Sequence, residues 1–263
     1  MRVAVWNMSH WSRSPDQRRR TWEILREESA ADVALVQEAV PPDDLMARSV
    51  YRAIGGSRPW GSAVVGLTVN VTEVVEAKGR YNSAARRLEG FHPGSVAVAT
   101  VPVGRRSITL VSMYWPIDDG YADTTVQRQL SDLVPLFDDQ SHEGRILLGG
   151  DLNITTQWIG DQRRYRAWDQ AVFTRMAALG LRDCLDIHRL EGPLPGCDCD
   201  DGGACRHIHT QRHAKSQRPW QNDYLWASSD LITPGTLVDA KVYDSPSMRE
   251  LGDHLPLIAE FAI

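Results

Sequence analysis

The sequence contains no hydrophobic run long enough to act as a signal peptide or to cross a membrane, and we therefore expect a cytoplasmic protein. It also contains no internal repeat and no low-complexity linker. Its 263 residues, of which 42% are hydrophobic and 24% charged, suffice for a substantial core. We expect a single domain over residues 1–263, and the sequence gives no sign of an obligate protein partner.

Basic residues are also not in excess over acidic residues. The chain has 29 Lys and Arg residues against 34 Asp and Glu residues, which gives a formal net charge of -5. This balance argues against a strongly basic binding protein. It does not exclude nucleic acid, because a local group of arginines can contact phosphates while the rest of the surface stays acidic.

Cysteine is scarce, and its distribution is uneven. Cys184 stands apart and is interpreted as an ordinary buried residue. Cys197, Cys199 and Cys205 lie close together, and in a reducing compartment such a group indicates a metal before a disulfide.

These three cysteines belong to a Cys/His-rich insert at about residues 191–219, which is poor in aliphatic side chains and cannot form a core by itself. Three thiolates and one imidazole make a tetrahedral zinc set. We predict a structural zinc ion held by Cys197, Cys199, Cys205 and His207, with His209 in reserve and His213 nearby. A reduced loop without metal and an oxidised cysteine pair remain as alternatives.

The most informative stretch lies near the middle of the chain. Residues 146–148 form a short apolar run that predicts a buried strand, and Gly149 and Gly150 permit a tight exit from it. Asp151 and Asn153 are then placed at a rim, where sites form in α/β sheets. The alternative is that both residues only build a turn.

Other predicted strands along the chain also end in polar residues. Strand patterns cover residues 2–7, 32–38, 61–65, 69–71, 96–100 and 107–114, and helical spacing covers residues 16–29, 124–137 and 165–179. Oxygen-rich groups of carboxylates and amides suit Mg²⁺ or Mn²⁺, and a histidine beside carboxylates can act on a phosphate. The polar residues expected at strand ends or in adjoining loops are Asn7, Glu38, Tyr114, Asp151, Asn153, Asp223, Asp253 and His254.

Six short motifs carry a resemblance to a known family. From end to end, the sequence resembles the endonuclease/exonuclease/phosphatase superfamily, which includes exonuclease III-type abasic-site endonucleases, DNase I, sphingomyelinases and inositol polyphosphate phosphatases. Each motif alone is weak, but six in the family's order and approximate spacing are strong. The motifs are Trp6-Asn7, Gln37-Glu38, Tyr114 with Pro116, Gly150-Asp151-Leu152-Asn153, Asn222-Asp223-Tyr224 and Asp253-His254-Leu255-Pro256.

The resemblance implies an α/β (α+β) fold of the DNase I type, a four-layer sandwich in which two mixed β-sheets pack face to face between helices. It also implies a metal-dependent phosphoesterase site at one edge of the sheets. Glu38 would be the principal ligand of a catalytic Mg²⁺ or Mn²⁺, with Asn7 beside it and Asp253 completing the acidic site.

The resemblance also assigns the catalytic roles. Asp151 would orient or deprotonate the attacking water, and Asn153 would steady the water and the phosphate. His254 would contact the scissile phosphate with its ring held by Asp223, and Tyr114 would hydrogen-bond a phosphate oxygen.

Two departures from the family limit what can be carried over. Gly252 stands where the family usually has a serine before the closing Asp-His pair, so one hydroxyl contact is absent. The insert around Cys197 is not part of the common core, and its effect on substrate choice cannot be inferred from the family.

The substrate is the least determined feature. Arg163, Arg164 and Arg166 follow the central motif and are candidates for phosphate contacts, while Trp115 and Trp158 are candidates for stacking on bases. Most of the nine tryptophans can equally be packing residues.

We weigh three functions. The first is a metal-dependent nuclease acting on DNA or RNA. The second is a phosphatase or phosphodiesterase acting on a nucleotide, phosphoinositide or sphingolipid, which the acidic net charge slightly favours. The third is a binding protein that has lost catalysis, and the complete set of catalytic residue types argues against it. The arginines and tryptophans favour the nuclease and a nucleic-acid partner.

Overall fold

The computed structural model describes residues 1–55, 58–81, 84–88, 92–115, 122–142, 144–187, 197–201, 205–212 and 218–263, without the side chains of Arg58, Asp161 and Arg163. The described helices are α1 (Pro15–Glu27), α2 (Asp43–Met46), α3 (Ala122–Asp138), α4 (Arg163–Ala178), α5 (Cys184–Ile187) and α6 (Pro246–Leu251), with 3₁₀ turns at His10–Ser12, Gly160–Gln162 and Ser229–Leu231.

The described strands form two large sheets and one small hairpin. They are β1 (Arg2–Asn7), β2 (Val33–Ala39), β3 (Ser49–Gly55), β4 (Arg58–Gly66), β5 (Thr72–Glu73), β6 (Glu76–Ala77), β7 (Arg86–Arg87), β8 (Val96–Val103), β9 (Arg106–Tyr114), β10 (Ile146–Asp151), β11 (Leu181–Asp183), β12 (Asp223–Ser228), β13 (Leu237–Val242) and β14 (Leu257–Phe261).

Both large sheets have six strands and are mixed. The first has the order β13-β14-β1-β2-β4-β3, and β1 runs parallel to β2 but antiparallel to β14. The second has the order β11-β12-β10-β9-β8-β5, and β10 runs parallel to β9 but antiparallel to β12. The central strands β2 and β10 are buried along their whole length, which explains why their sequences are continuous apolar runs instead of alternating ones.

The buried side chains separate into three cores that define four layers. The central core joins both sheets, since Val3 and Leu35 of the first sheet pack in one cluster with Leu110 and Leu147 of the second. The outer face of the first sheet packs on α1 and α6, and the outer face of the second packs on α3 and α4. The predicted four-layer sandwich is therefore confirmed.

The predicted helices are also present, with small shifts at their ends. The pattern over residues 16–29 becomes α1, which begins one residue earlier at Pro15 because Ser14 caps it, with Gln17 completing a capping box. The patterns over residues 124–137 and 165–179 become α3 and α4. Within the described ranges, no helix combines the length and the apolar character needed to cross a membrane.

One strand prediction was displaced, and the strands β3, β6, β7, β11 and β13 were not predicted. The pattern over residues 69–71 predicted a strand, but β5 begins only at Thr72. Strand β3 has a mixed and largely exposed sequence, so it lacks the apolar run that identified its neighbours.

Candidate active site

The polar ends of five strands, two from the first sheet and three from the second, meet at one edge of the sandwich. Asn7 ends β1 and is paired in register with Gln37 of β2, next to Glu38. Asp151 ends β10 and is paired with Tyr114 on one side and with Asp223 on the other. The strand topology therefore brings together residues that are more than two hundred positions apart along the chain, as the sequence motifs predicted.

The backbone turn at the end of β10 requires glycine at position 150. Gly150 has a φ of 155°, and a Cβ atom there would collide with the backbone carbonyl of Met113. After this turn, the backbone N–H of Asn153 donates to Oδ1 of Asp151 over 3.0 Å, which closes an Asx turn. Asp151 therefore builds a turn, as the simpler interpretation held. Its second oxygen, Oδ2, takes no part in this turn and faces the site.

Three donors hold the Asp151 carboxylate in place. In addition to the backbone of Asn153, the side-chain amides of Asn7 and Asn153 donate to Oδ2 over 2.8 and 3.2 Å. The Asn153 amide also donates to the carbonyl of Trp115 over 3.0 Å, and Asn153 itself has a left-handed φ of 48°. Because Asp151 is only 1% exposed, its orientation is fixed by these contacts and not by solvent.

His254 is held from both sides. Its Nδ1 lies 2.9 and 3.1 Å from the two oxygens of Asp223, and its backbone carbonyl accepts a hydrogen bond from the indole of Trp6 over 3.1 Å. The backbone N–H of Asp223 in turn donates to the hydroxyl of Thr210 over 3.0 Å. The remaining ring nitrogen, Nε2, faces Oδ2 of Asp151 at 3.9 Å, so that a phosphate oxygen or a water can interact with both groups.

Burial and neighbouring charges shift the pKa values of Asp151 and His254. Burial raises the pKa of Asp151, and the Asp223 and Glu38 carboxylates raise it further, against the opposing effects of His254 and Asn7. Burial alone would lower the pKa of His254, but attraction to Asp223 and Asp151 outweighs burial and raises it. The geometry therefore favours an imidazolium at position 254 beside a carboxylate that is more basic than usual.

Glu38 lies at an irregular point of β2. The pairing of β2 with β4 shifts register between Val36 and Ala39, and Glu38 has a left-handed φ of 51°. Such a bulge redirects a side chain, and bulges of this kind are common beside active sites. Glu38 is 8% exposed, and within the described part of the chain its buried Oε2 has no hydrogen-bond partner. A buried carboxylate oxygen without a donor fits a metal ligand.

Asp253, in contrast to Oε2 of Glu38, has hydrogen-bond partners among the described residues. It accepts hydrogen bonds from the hydroxyl of Ser9 over 3.3 Å and from the amide of Gln211 over 3.4 Å, and Arg13 lies 3.7 Å away. The sequence motifs did not reveal these three partners, nor the Trp6 and Thr210 contacts described above. These contacts depend on long-range packing, and although Trp6 belongs to a motif, that motif does not reveal its contact with His254.

The structure places the predicted substrate-binding residues in different environments. Trp115 is 0% exposed, so the expectation that its ring stacks on substrate is wrong in this fold, and its backbone carbonyl positions Asn153 instead. The guanidinium of Arg166 donates a hydrogen bond to the carboxylate of Asp201 over 2.5 Å, and this ion pair offsets much of the positive charge of Arg166. Arg164 is exposed and Trp158 is half-buried, and the Arg163 side chain and Pro116 lie outside the described residues. Tyr114 ends β9, as the sequence predicted, and it is half-buried and paired in register with Asp151.

The Cys/His-rich insert forms a separate cluster. The donor atoms of Cys197, Cys199, Cys205 and His207 all lie within 4.8 Å of one another. His209, the predicted reserve ligand, is not in this cluster of described residues, and His213 lies outside them. Among the described residues, Asp151, Asp223 and His254 form a second group of this kind.

Comparison with known proteins agrees with this architecture. The family model described as the Endonuclease/Exonuclease/phosphatase family matches residues 4–242, so Asp253 and His254 lie beyond the matched segment. No curated protein sequence matches the chain significantly.

Three solved structures illustrate the similarity in fold. The endonuclease domain of TRAS1, a telomere-specific non-LTR retrotransposon, has a TM-score of 0.63 and 16% identity over 100% of this chain and 98% of that chain. An AP endonuclease from Archaeoglobus fulgidus has a TM-score of 0.63 and 16% identity over 100% of both chains. The 3'-5' exonuclease NExo from Neisseria meningitidis has a TM-score of 0.61 and 17% identity over 99% of both chains. At these identities, the similarity establishes the fold alone.

Proposed function

Since the chain belongs to the Endonuclease/Exonuclease/phosphatase family, we propose that it is a divalent-metal-dependent phosphodiesterase that hydrolyses phosphodiester bonds of DNA or RNA. Members of this family are phosphoesterase hydrolases that depend on divalent metals. One observation carries the proposal: Asp151 and His254, both buried, face each other across 3.9 Å, and each is oriented by its own hydrogen-bonding partners.

Asp151 is the residue that acts on the attacking water. Its raised pKa makes it a better proton acceptor than an exposed aspartate, and its three donors leave it little freedom to turn away. The water oxygen forms a bond to phosphorus as its proton passes to Asp151, and the phosphorus–oxygen bond to the leaving group breaks. The departing oxygen takes up a proton from solvent, Asp151 later releases its proton to solvent, and the products are a phosphate monoester and a free hydroxyl.

His254 is the residue that stabilises charge on the phosphate. Its raised pKa keeps the ring protonated at neutral pH, and the Nδ1 contact with Asp223 directs Nε2 into the site. A positive group fixed before the reaction stabilises the extra charge that develops on phosphoryl oxygens.

Glu38 is the residue best suited to hold a metal, with Asn7 beside it and Asp253 nearby. The unpartnered Oε2 of Glu38, within the part of the chain that the structure describes, fits this role. A bound Mg²⁺ or Mn²⁺ would offset negative charge on the phosphate and on the leaving oxygen. Oxygen ligands of this type suit either ion.

An aromatic surface beside the catalytic loop favours nucleic acid as the substrate. We call Trp158, Trp220, Tyr165 and Trp168 the aromatic ribbon. Trp158 lies 5.7 Å from Trp220 and 5.6 Å from Tyr165 between ring centroids, and Tyr165 lies 5.4 Å from Trp168. Rings of this kind provide stacking surfaces for successive bases.

Two guanidinium groups accompany these rings. Arg218 lies 4.0 Å above the ring of Trp220, and Arg164 lies 4.8 Å above the ring of Tyr165. Both rings are half-buried. Guanidinium groups next to partly exposed rings can contact phosphates while bases stack, which is the combination that single-stranded nucleic acid requires. The similarity of the fold to an AP endonuclease and an exonuclease adds support for a nucleic-acid substrate.

The test is an activity panel with Mg²⁺, Mn²⁺ or chelator present. The substrates are plasmid DNA, single-stranded DNA, RNA, an abasic duplex, an inositol polyphosphate, sphingomyelin and a simple phosphomonoester. We expect cleavage of at least one nucleic acid, and none with chelator. Rapid turnover of a small or lipid phosphoester, with no cleavage of any nucleic acid, would instead establish the alternative function that the acidic net charge favours.

A further inference from the structure

The geometry of the Cys/His cluster points to a second metal site. We infer that Cys197, Cys199, Cys205 and His207 bind a structural zinc ion that fastens the loop after Asp151 to the segment that leads to Asp223 and His254. This inference does not depend on the proposed substrate, because it concerns ligands outside the catalytic edge.

The distances within the cluster match a tetrahedral zinc site. With zinc–sulfur bonds of about 2.3 Å and zinc–nitrogen bonds of about 2.0 Å at tetrahedral angles, a sulfur and a nitrogen ligand stand about 3.5 Å apart. Nδ1 of His207 lies 3.7 Å from the sulfur of Cys197 and 3.4 Å from that of Cys205. An unprotonated ring nitrogen has one lone pair and can accept only one S–H hydrogen bond, whereas a zinc ion accounts for both contacts.

The ring of His207 is oriented for ligation. Its other nitrogen, Nε2, lies 2.7 Å from the hydroxyl of Thr156. A ring that donates from Nε2 presents the lone pair of Nδ1 to the sulfur atoms, and metal-binding histidines are usually held by such a contact. Thiolates select zinc over magnesium, so the cluster is chemically distinct from the oxygen-rich catalytic site.

The cluster is connected to the catalytic loop through two adjacent residues. Thr156 contacts His207, and the buried amide of Gln157 donates to the sulfur of Cys197 over 3.5 Å and to the carbonyl of Pro219 over 3.3 Å. Thr156 and Gln157 follow Asp151 and Asn153 on the same loop. A shift of the cluster would therefore move the loop that carries the catalytic aspartate.

The segment that follows His207 makes the second connection. The backbone N–H of Ile208 donates to Gln221 over 2.8 Å, and the hydroxyl of Thr210 accepts from the backbone of Asp223 over 3.0 Å. The backbone N–H of Arg212 donates to the carbonyl of Asp253 over 2.8 Å. Four protein ligands leave no open position on a tetrahedral zinc, so the site aligns the two halves of the active site without performing chemistry.

The first test is zinc content, measured by elemental analysis after purification without chelator. We expect about one zinc ion per chain in the wild-type protein, and less than about a tenth of that in a Cys199→Ser/Cys205→Ser variant. Cys184→Ser is the matched control, since Cys184 is a buried cysteine outside the cluster, and it should retain the zinc. Glu38→Gln should also retain it, which separates this metal from the catalytic one.

The second test uses Thr156→Val, which removes the hydroxyl at Nε2 but leaves all four ligands. We expect zinc affinity, measured against a competing chelator, to fall about 10- to 100-fold, as is typical when the partner of a metal-binding histidine is lost. Hydrogen exchange should accelerate in residues 152–158 and 205–212 when zinc is removed, while the strands of the central core stay protected.

Two results would overturn the inference. One is wild-type protein that contains no zinc, with the thiols of Cys197, Cys199 and Cys205 freely reactive or paired in a disulfide. The other is zinc binding that Thr156→Val leaves unchanged, together with unaltered exchange in residues 152–158, which would show that the metal does not fasten the catalytic loop.

Discussion

Nε2 of His254 lies 3.9 Å from Oδ2 of Asp151, while Nδ1 of the same ring lies 2.9 Å from Oδ2 of Asp223. The imidazole thus stands between two buried carboxylates, with a third at Glu38. One imidazolium does not balance three carboxylates, and an incoming phosphate adds more negative charge. This imbalance is the physical reason that we expect catalysis to require a divalent cation.

Asp223→Asn should slow catalysis because it removes the charge that keeps His254 protonated and oriented. We expect a loss of about 100-fold or more in kcat, the range typical of positioned acid-base and electrostatic groups. His254→Ala should cause a similar loss, and the double variant should be little slower than either single one because the two residues act as a unit. Fully additive losses in kcat would contradict this pairing.

Glu38→Gln should weaken the catalytic metal site. We expect the Mg²⁺ concentration for half-maximal activity to rise by about tenfold or more, because a carboxylate ligand becomes a neutral amide. Without metal, the same variant should unfold at an equal or higher temperature than the wild type, because a buried carboxylate with an unpartnered oxygen becomes a neutral amide, which costs less to bury. A metal dependence identical to that of the wild type would remove Glu38 from the site.

Trp220→Ala should weaken the binding of single-stranded nucleic acid through the aromatic ribbon. Stacking on one ring contributes about 1–3 kcal/mol per base, so the Kd for an oligonucleotide should rise at least about fivefold. Trp220→Phe should retain most of the affinity, and Tyr81→Ala, which removes a 90% exposed aromatic side chain outside the ribbon, should have no effect. Equal binding by all three variants would show that the ribbon does not contact the substrate.

His10 should make the fold sensitive to mild acid. Burial, together with smaller contributions from the charges of Arg18 and Arg13, lowers the pKa of His10 to about 4. Its ring lies 3.4 Å from the backbone nitrogen of Val40 and 3.2 Å from the hydroxyl of Thr21, a pattern that a neutral imidazole satisfies.

The direction of this pH dependence follows from proton uptake by the unfolded chain. Between pH 6.5 and pH 4 the unfolded chain binds a proton at His10 that the folded protein does not, so the free energy of unfolding falls as the pH falls through this window. The contribution of His10 is at most about 3 kcal/mol. Urea unfolding of His10→Gln should show a shallower fall in this pH range, and an unchanged slope would contradict the prediction.

Part of the structure follows from local sequence. The strands β1, β2 and β10 were predictable because fully buried strands have continuous apolar runs, and their polar ends predicted where Asn7, Glu38 and Asp151 would meet. The cysteine spacing likewise predicted the cluster that the structure brings together. Whether the chain is a single domain, and where it acts in the cell, remain predictions.

The remainder depends on contacts between distant segments. Nothing local reveals that Trp115 is completely buried, that Asp201 engages Arg166, or that the Trp6 indole donates to the carbonyl of His254. The bulge that gives Glu38 its left-handed backbone arises from the pairing of β2 with β4. Each of these features is set by packing across the sheets, which a one-dimensional pattern does not encode.

The most direct test of the central claim is the cleavage rate of a labelled oligonucleotide by the wild-type protein and by Asp151→Asn, purified in parallel and assayed with Mg²⁺, with Mn²⁺ and with chelator. The account predicts cleavage by the wild type only when metal is present, and a loss of about 100-fold or more in Asp151→Asn at equal metal concentration. Cleavage by Asp151→Asn at the wild-type rate, or wild-type cleavage that persists in chelator, would contradict it.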